Sequence, residues 1–346
     1  MILPEKQSSA RTIPVALKRS IQSIIWCVGT AAALAVTHVI PLFAWGERGH
    51  YLTGQAAAAK IPAAMPAFFR AAAAQLAYLN PEPDRWRDRT ESAIDPALDA
   101  GSAPDHFVDM DIVPPAIFAA AFTAPQRYAY ADTLRAAGVD PAKFGFLPFR
   151  ILELTERLRV DFRLWRAAPN DQTRAWIEAR IVNDAGILGH YVADGSNPAH
   201  TSVNFNGWTG DNPHGYATDK RFHSRFEAAY VQTHITIADL LPGIDSTPHA
   251  VPIGQLRPAI LAYLRRSNSE VEHLYALDKQ APFDAQTTAP ENKHFAAERL
   301  AAGAQMLRDL WWTAWVTSAP SDTSAPAIPV RSGSPVPPAG APAKVP

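Results

Sequence analysis

Two histidine–carboxylate pairs with the same spacing stand at the centre of this sequence: His190 with Asp194, and His223 with Glu227. Side chains four apart share one face of an α-helix, so each pair offers an imidazole nitrogen beside a carboxylate oxygen. His200 follows the first pair through Gly195-Ser196-Asn197-Pro198-Ala199, where Pro198 ends the helical pattern. A single pair of this kind is ordinarily a hydrogen bond on a helix. Two pairs on separate helices, with a third His between them, form a donor set able to converge on metal ions inside a bundle. Trp45, His50, Asp84 and His106 extend that set upstream.

Helices must position these donors. Alanine-rich stretches with helical spacing predict an all-α fold, with helices near 48–60, 66–79, 115–122, 148–167, 172–195, 219–236, 255–276 and 290–316. Prolines including Pro62, Pro81, Pro114, Pro148, Pro198 and Pro213 punctuate them. The donors fall on helices or on the loops just after them.

The ends have a different composition. A basic stretch (Lys18, Arg19), an apolar run from Ile21 to Val36 and the small residue Ala44 follow the order of a secretory signal peptide. Cleavage after Ala44 would free the amine of Trp45, and a neutral amine can ligate zinc. The rival is an uncleaved anchor, although Thr30, Thr37 and His38 make the run short and impure for a span. From Thr317 onward Pro, Ser, Ala and Gly dominate, a composition that buries too little apolar surface to order itself. The expected organisation is a signal peptide at 1–44, a helical domain at 45–316 and a Pro-rich disordered tail at 317–346.

Of the 346 residues, 47% are hydrophobic, enough for a core of ordinary size. The formal net charge is −1. The leader carries four cations (Lys6, Arg11, Lys18, Arg19) and one anion (Glu5), so its removal leaves −4. A mildly acidic protein is poorly suited to gripping long duplex nucleic acid through many phosphate contacts. The only cysteine, Cys27, lies in the leader, so the exported chain would hold no disulfide.

With these residues in view, the sequence resembles the superfamily of zinc-dependent phospholipases C and single-strand-specific (S-one/P-one type) nucleases. Trp45-Gly46-Glu47-Arg48-Gly49-His50 follows the nuclease branch in residue type and spacing. Asp84-Arg85-Trp86-Arg87 and His106-Phe107 match the next ligand segments, and His190, Asp194, His200, His223 and the acid at 227 complete the superfamily's set in order and spacing. The resemblance implies three zinc ions in a cleft. His106, His190, Asp84 and Asp194 would hold one; Trp45, His50 and the bridging Asp194 would hold its neighbour; His200, His223 and Glu227 would hold the third. It further implies that Asp84 orients or deprotonates the attacking water, that Arg87 binds phosphate, and that Phe107 lies where some nucleases stack a base. The expected function is an exported (secreted or periplasmic) single-strand nuclease or 3′-nucleotidase. Its partners would be single-stranded nucleic acid or nucleotides, with no stable protein partner and a monomeric state.

Three departures bear on substrate. Position 227 is Glu, as in the phospholipase branch; the loop from Asn204 to Lys220 lacks the Gly-Gly-Asn run of the nucleases; and the disulfides of eukaryotic members are absent. A phospholipase C acting on phospholipid therefore stands as the alternative enzyme, and a non-catalytic zinc-binding protein as the alternative class. Phe107, Trp86, Phe205, Trp208 and Tyr216 are candidates to line the substrate pocket, and Asp109 to support a ligand His. His214, His234, His249, His273 and His294 read as surface or structural groups, and Trp311, Trp312 and Trp315 as packing.

Overall fold

Helices alone build the part of the chain that the computed structural model describes, residues 45–320, and no β-strand occurs among them. The expected leader, and the tail beyond Pro320, lie outside the described residues. Seven helices carry the architecture: α1 (Gly46–Ala59), α2 (Ala73–Leu79), α3 (Leu147–Arg166), α4 (Asp171–Ser196), α5 (Leu256–Asn268), α6 (Val271–Gln280) and α7 (Pro290–Val316). No described helix is long and apolar enough to cross a membrane.

α4 is the axis. It starts on Asn170, whose side chain accepts from Thr173 N at 2.8 Å. It packs against α1, α2, α3 and α7. From Asp184 to Ser196 every residue is buried, so this half of the helix has no solvent-facing side. A buried helix end must satisfy its last carbonyls from outside, and α4 does so with two side chains from afar and its own capping amide. Ala193 O accepts from the Trp45 indole at 2.8 Å, Gly195 O from the Ser267 hydroxyl at 2.6 Å, and Asp194 O from Asn197 N at 2.9 Å.

The same need explains one difference from the sequence reading. A single helix over 255–276 is expected, but the chain breaks between α5 and α6. Ser267 and Asn268 end α5 by bonding Gly195 O and Thr201 O, which pins α5 to the end of α4. The 66–79 stretch is likewise split at Ala72. The stretch expected at 219–236 folds as a π-helical segment, Ser224–Tyr230, followed by Val231–His234. Short π segments inside helices recur at functional sites. The helices Arg127–Ala136 and Pro141–Phe144 lie outside those expected; Gln126 and Asp140 cap their first turns.

Two glycines are required by close approach. A Cβ at Gly189 would lie 2.1 Å from Asn80 Nδ2, so only glycine lets Asn80 press against α4. At Gly145, φ is +98° and a Cβ would meet Phe107 O at 2.0 Å, which locks the segment after His106 onto the turn before α3.

Candidate metal centre

The donors arrive from five separate places in the chain and meet around the buried end of α4. His50 comes from α1, and Asp84 from the short helix Glu82–Arg85. His106 ends a 3₁₀ turn (Ala103–His106), His200 sits on another (Pro198–Thr201), and His223 and Glu227 come from the π-helical segment and its lead-in. Each of the six, and His190 and Asp194 with them, is buried.

Three groups of His, Asp and Glu are close enough to hold a metal ion: His106–His190–Asp194, His50–Asp84–His190 and His200–His223–Glu227. Their donor atoms can be tested against a real ion. Ligands about 2.0–2.2 Å from a tetrahedral zinc ion stand about 3.3–3.6 Å from one another. His106 Nδ1 and His190 Nε2 are 2.9 Å apart, and they lie 3.2 and 3.4 Å from Asp194 Oδ2. Asp84 Oδ1 closes the figure at 3.9 Å from His106 and 3.8 Å from His190. These separations straddle the expected edge, so His106, His190 and Asp194 are close enough to hold a metal ion, with Asp84 beside them.

The other oxygens face His50. His50 Nε2 is 3.5 Å from Asp194 Oδ1 and 3.8 Å from Asp84 Oδ2. Asp194 therefore turns Oδ2 toward His106 and His190 and Oδ1 toward His50. Asp84 likewise faces both sides, beyond the single group expected. In the third group, His200 Nε2 is 3.6 Å from Glu227 Oε1 and His223 Nε2 is 2.7 Å from Glu227 Oε2.

Neighbouring carbonyls set the tautomers. His190 Nδ1 donates to Asn80 O at 3.0 Å and His200 Nδ1 to His106 O at 2.7 Å, because a carbonyl can only accept. Each ring then aims Nε2 into the cluster, as a metal-ligating histidine requires. Both oxygens of Asp84, Asp194 Oδ1 and His200 Nε2 are buried without a hydrogen-bond partner. Polar atoms buried this way are costly unless a cation meets them.

The titration behaviour follows from the same crowding. Burial pushes Asp84 up to about 7, with Arg87 and His200 pulling down and Glu227 pushing up. Burial likewise holds Asp194 well above the carboxylate range, while it holds His106 and His190 well below the imidazole range. His200 runs the other way: burial is outweighed by the carboxylates of Asp194 and Glu227, which lift it to about 10. For Glu227 burial is outweighed by His223 and His200, which draw it down to about 2. In the metal-free centre burial thus favours the protonated forms of Asp194 and Asp84, and the neighbouring carboxylates favour that of His200. Metal loading must expel these protons. Calorimetry of zinc binding at pH 7, in buffers of different ionisation enthalpy, is expected to show a net release of protons. Release of none would mean that the ion binds elsewhere.

The remaining sequence candidates fall as follows. Arg87 lies beside the cluster, one-third exposed; its Nε donates to Asp99 at 2.9 Å. Phe107 is half-buried, with its carbonyl against Gly145 and accepting from Leu147 N at 3.2 Å. Trp45 brings no side-chain donor: its indole is committed to Ala193 O, and its fully buried ring packs on Phe226 at 5.2 Å. Its backbone, at φ +37°, starts α1 where Gly46 rests on the backbone of Glu227 and Ala228. Trp208 and Tyr216 fold onto each other and onto Tyr275. No side-chain bond joins Asp109 to a ligand His; His200 is held by a backbone carbonyl instead. His214, His249, His273 and His294 stand exposed beside surface carboxylates, and Trp311 is core.

Three supporting residues were not among the sequence candidates. Asn197 Nδ2 donates to Glu227 Oε1 while its Oδ1 accepts from Ala199 N, so one side chain shapes the His200 turn and fixes a ligand. The Asn-Pro step after a helix is its sequence signal. Asp99 aims Arg87 and Asn80 aims His190, the latter through its backbone, which leaves no trace in sequence. The chain matches no protein-family model, no curated protein and no solved structure.

Proposed function

We propose that the chain is a zinc-dependent phosphodiester hydrolase with three metal ions, acting on single-stranded nucleic acid or nucleotides in the manner of the superfamily it resembles. One observation carries the reading: two adjoining donor groups share His190, while Asp194 and Asp84 each turn one oxygen toward His50 and the other toward His106 and His190; a third group lies beside them, and an arginine stands next to Asp84. Bound zinc would supply an activated water near neutral pH and would offset the charge of the phosphate.

The residues divide the work. His106, His190, Asp84 and Asp194 would hold the first ion. His50, with Asp194 and Asp84, would hold its neighbour, joined by the amine of Trp45 in a chain that begins there. His200, His223 and Glu227 would hold the third. Three carboxylates bring −3 against the +6 of three zinc ions, and neutral imidazoles leave the remaining +3 for an incoming phosphate. Asp84 spans the adjoining groups and takes the proton of the attacking water on its carboxylate. Arg87, steadied at Nε by Asp99, turns its guanidinium to the phosphate oxygens.

Arg87 separates catalysis from mere storage of metal. Arg87→Ala is expected to lower kcat/KM about 10- to 100-fold, the effect of one charge-assisted hydrogen bond, at unchanged zinc content. An unchanged rate would favour a non-catalytic zinc-binding protein. Glu227, in place of the Asp usual in nucleases, favours a second reading, a phospholipase C. Turnover of short-chain phosphatidylcholine without turnover of single-stranded DNA would select it.

A further inference from the structure

His106 is held differently from its neighbours in the centre. The rings of His190 and His200 each donate one nitrogen to a backbone carbonyl. His106 instead turns Nδ1 to His190 and Asp194, and its Nε2 is buried with no hydrogen-bond partner among the described residues. A ligating histidine ordinarily has its second nitrogen fixed by a hydrogen bond, so other contacts must orient this ring. Tyr191, on α4, packs against it with ring centroids 5.3 Å apart. Asp105, the residue just before it in the 3₁₀ turn, is buried.

Arg150, on α3, reaches both of these supports. Its guanidinium lies over the Tyr191 ring at 4.9 Å, and its Nε stands 3.6 Å from Asp105 Oδ2. The other carboxylate oxygen, Oδ1, accepts from Arg127 at 2.9 Å, and Glu153 grips Arg127 through two hydrogen bonds of 2.9 and 2.7 Å. From these contacts we infer that Arg150 is a positioning residue for the His106–His190–Asp194 group. It braces His106 twice, through Tyr191 against the ring and through Asp105 against the backbone. A cation suits the task because the face of an aromatic ring and a carboxylate both attract it. The inference rests on the metal-centre reading above and is independent of the substrate.

The test uses protein beginning at Trp45, loaded with zinc or with cobalt(II), whose visible absorption reports the ligand geometry. Arg150→Gln is expected to weaken the binding of one zinc ion in three about 10- to 100-fold, read by competition with a chelating dye, and to alter the cobalt spectrum. Arg150→Lys, which keeps a cation between ring and carboxylate, is expected to recover most of both. Arg157→Gln, which takes a more exposed cation of the same helix away from Asp184, should change neither. Arg150→Met serves as a second neutral variant where the first does not fold. Affinities and spectra of the neutral variants that match wild type overturn the brace, as does an equal change in Arg157→Gln. A His106→Ala protein that still binds three ions with wild-type affinity overturns the place of His106 in the centre, and the brace with it.

Discussion

Replacing Asp194 with Asn is expected to lower kcat/KM by about 10³-fold or more and to remove two of the three zinc ions. Both oxygens of Asp194 are engaged, Oδ2 with His106 and His190 and Oδ1 with His50. An amide keeps the shape but offers one oxygen, with a nitrogen that repels a cation. A Lewis acid at the reacting phosphate contributes several kcal/mol, which corresponds to about three decades in rate. Glu227→Gln touches a single group and should remove one ion only. The metal-free proteins should tell a different story. Burial already favours the protonated form of Asp194, so a neutral Asn costs the metal-free fold little. Metal analysis and thermal melts of loaded and chelated forms check all three statements. A loaded Asp194→Asn protein that retains three ions and full turnover would contradict the bridging role.

Chelation of the wild-type protein should lower its Tm by about 15 °C. A ligand held at about a hundred times its Kd stabilises by about 2.7 kcal/mol per site, so three sites contribute about 8 kcal/mol. At about 2 °C per kcal/mol for a domain of this size, the shift follows. The direction with pH follows from the same groups. Asp84, raised from 3.8 to about 7 by burial, favours the folded metal-free chain fully below its unfolded value, and that contribution is lost as pH rises through 7. His106 and His190, held neutral by burial, contribute above the unfolded imidazole value and lose that contribution on acidification. Metal binding removes the penalty on the carboxylates, so the gap between loaded and chelated melts should widen from pH 6 to pH 8. Calorimetric melts at these two pH values check it; a constant gap would place the stabilising ions away from Asp84.

Much of this centre was legible in the sequence because its donors are few in kind and fixed in spacing. The i,i+4 pairs did converge, and His50, Asp84, His106 and His200 join them. The partition was less legible. That Asp84 faces His50 as well as His106 depends on a half-turn of backbone between Pro83 and Arg87, which no periodicity encodes. The π-helical turn at Ser224–Tyr230 escaped for a similar reason: its sequence reads as an ordinary helix, and the segment packs against α1. The long helices α3, α4 and α7 were plain from composition and breakers, whereas the short ones near 82–102 and 127–144 rest on caps and turns. Trp208 and Tyr216 show the limit for aromatics, since spacing says nothing of which ring turns inward and which, like Phe205, stays out.

The most direct test is turnover of single-stranded DNA by zinc-loaded protein beginning at Trp45, measured before chelation, after it and after zinc is returned. Cleavage that disappears with the metal and comes back with it is the expected result. A sample shown to hold three zinc ions per chain, yet inert toward single strands under every condition, would contradict the proposed nuclease activity.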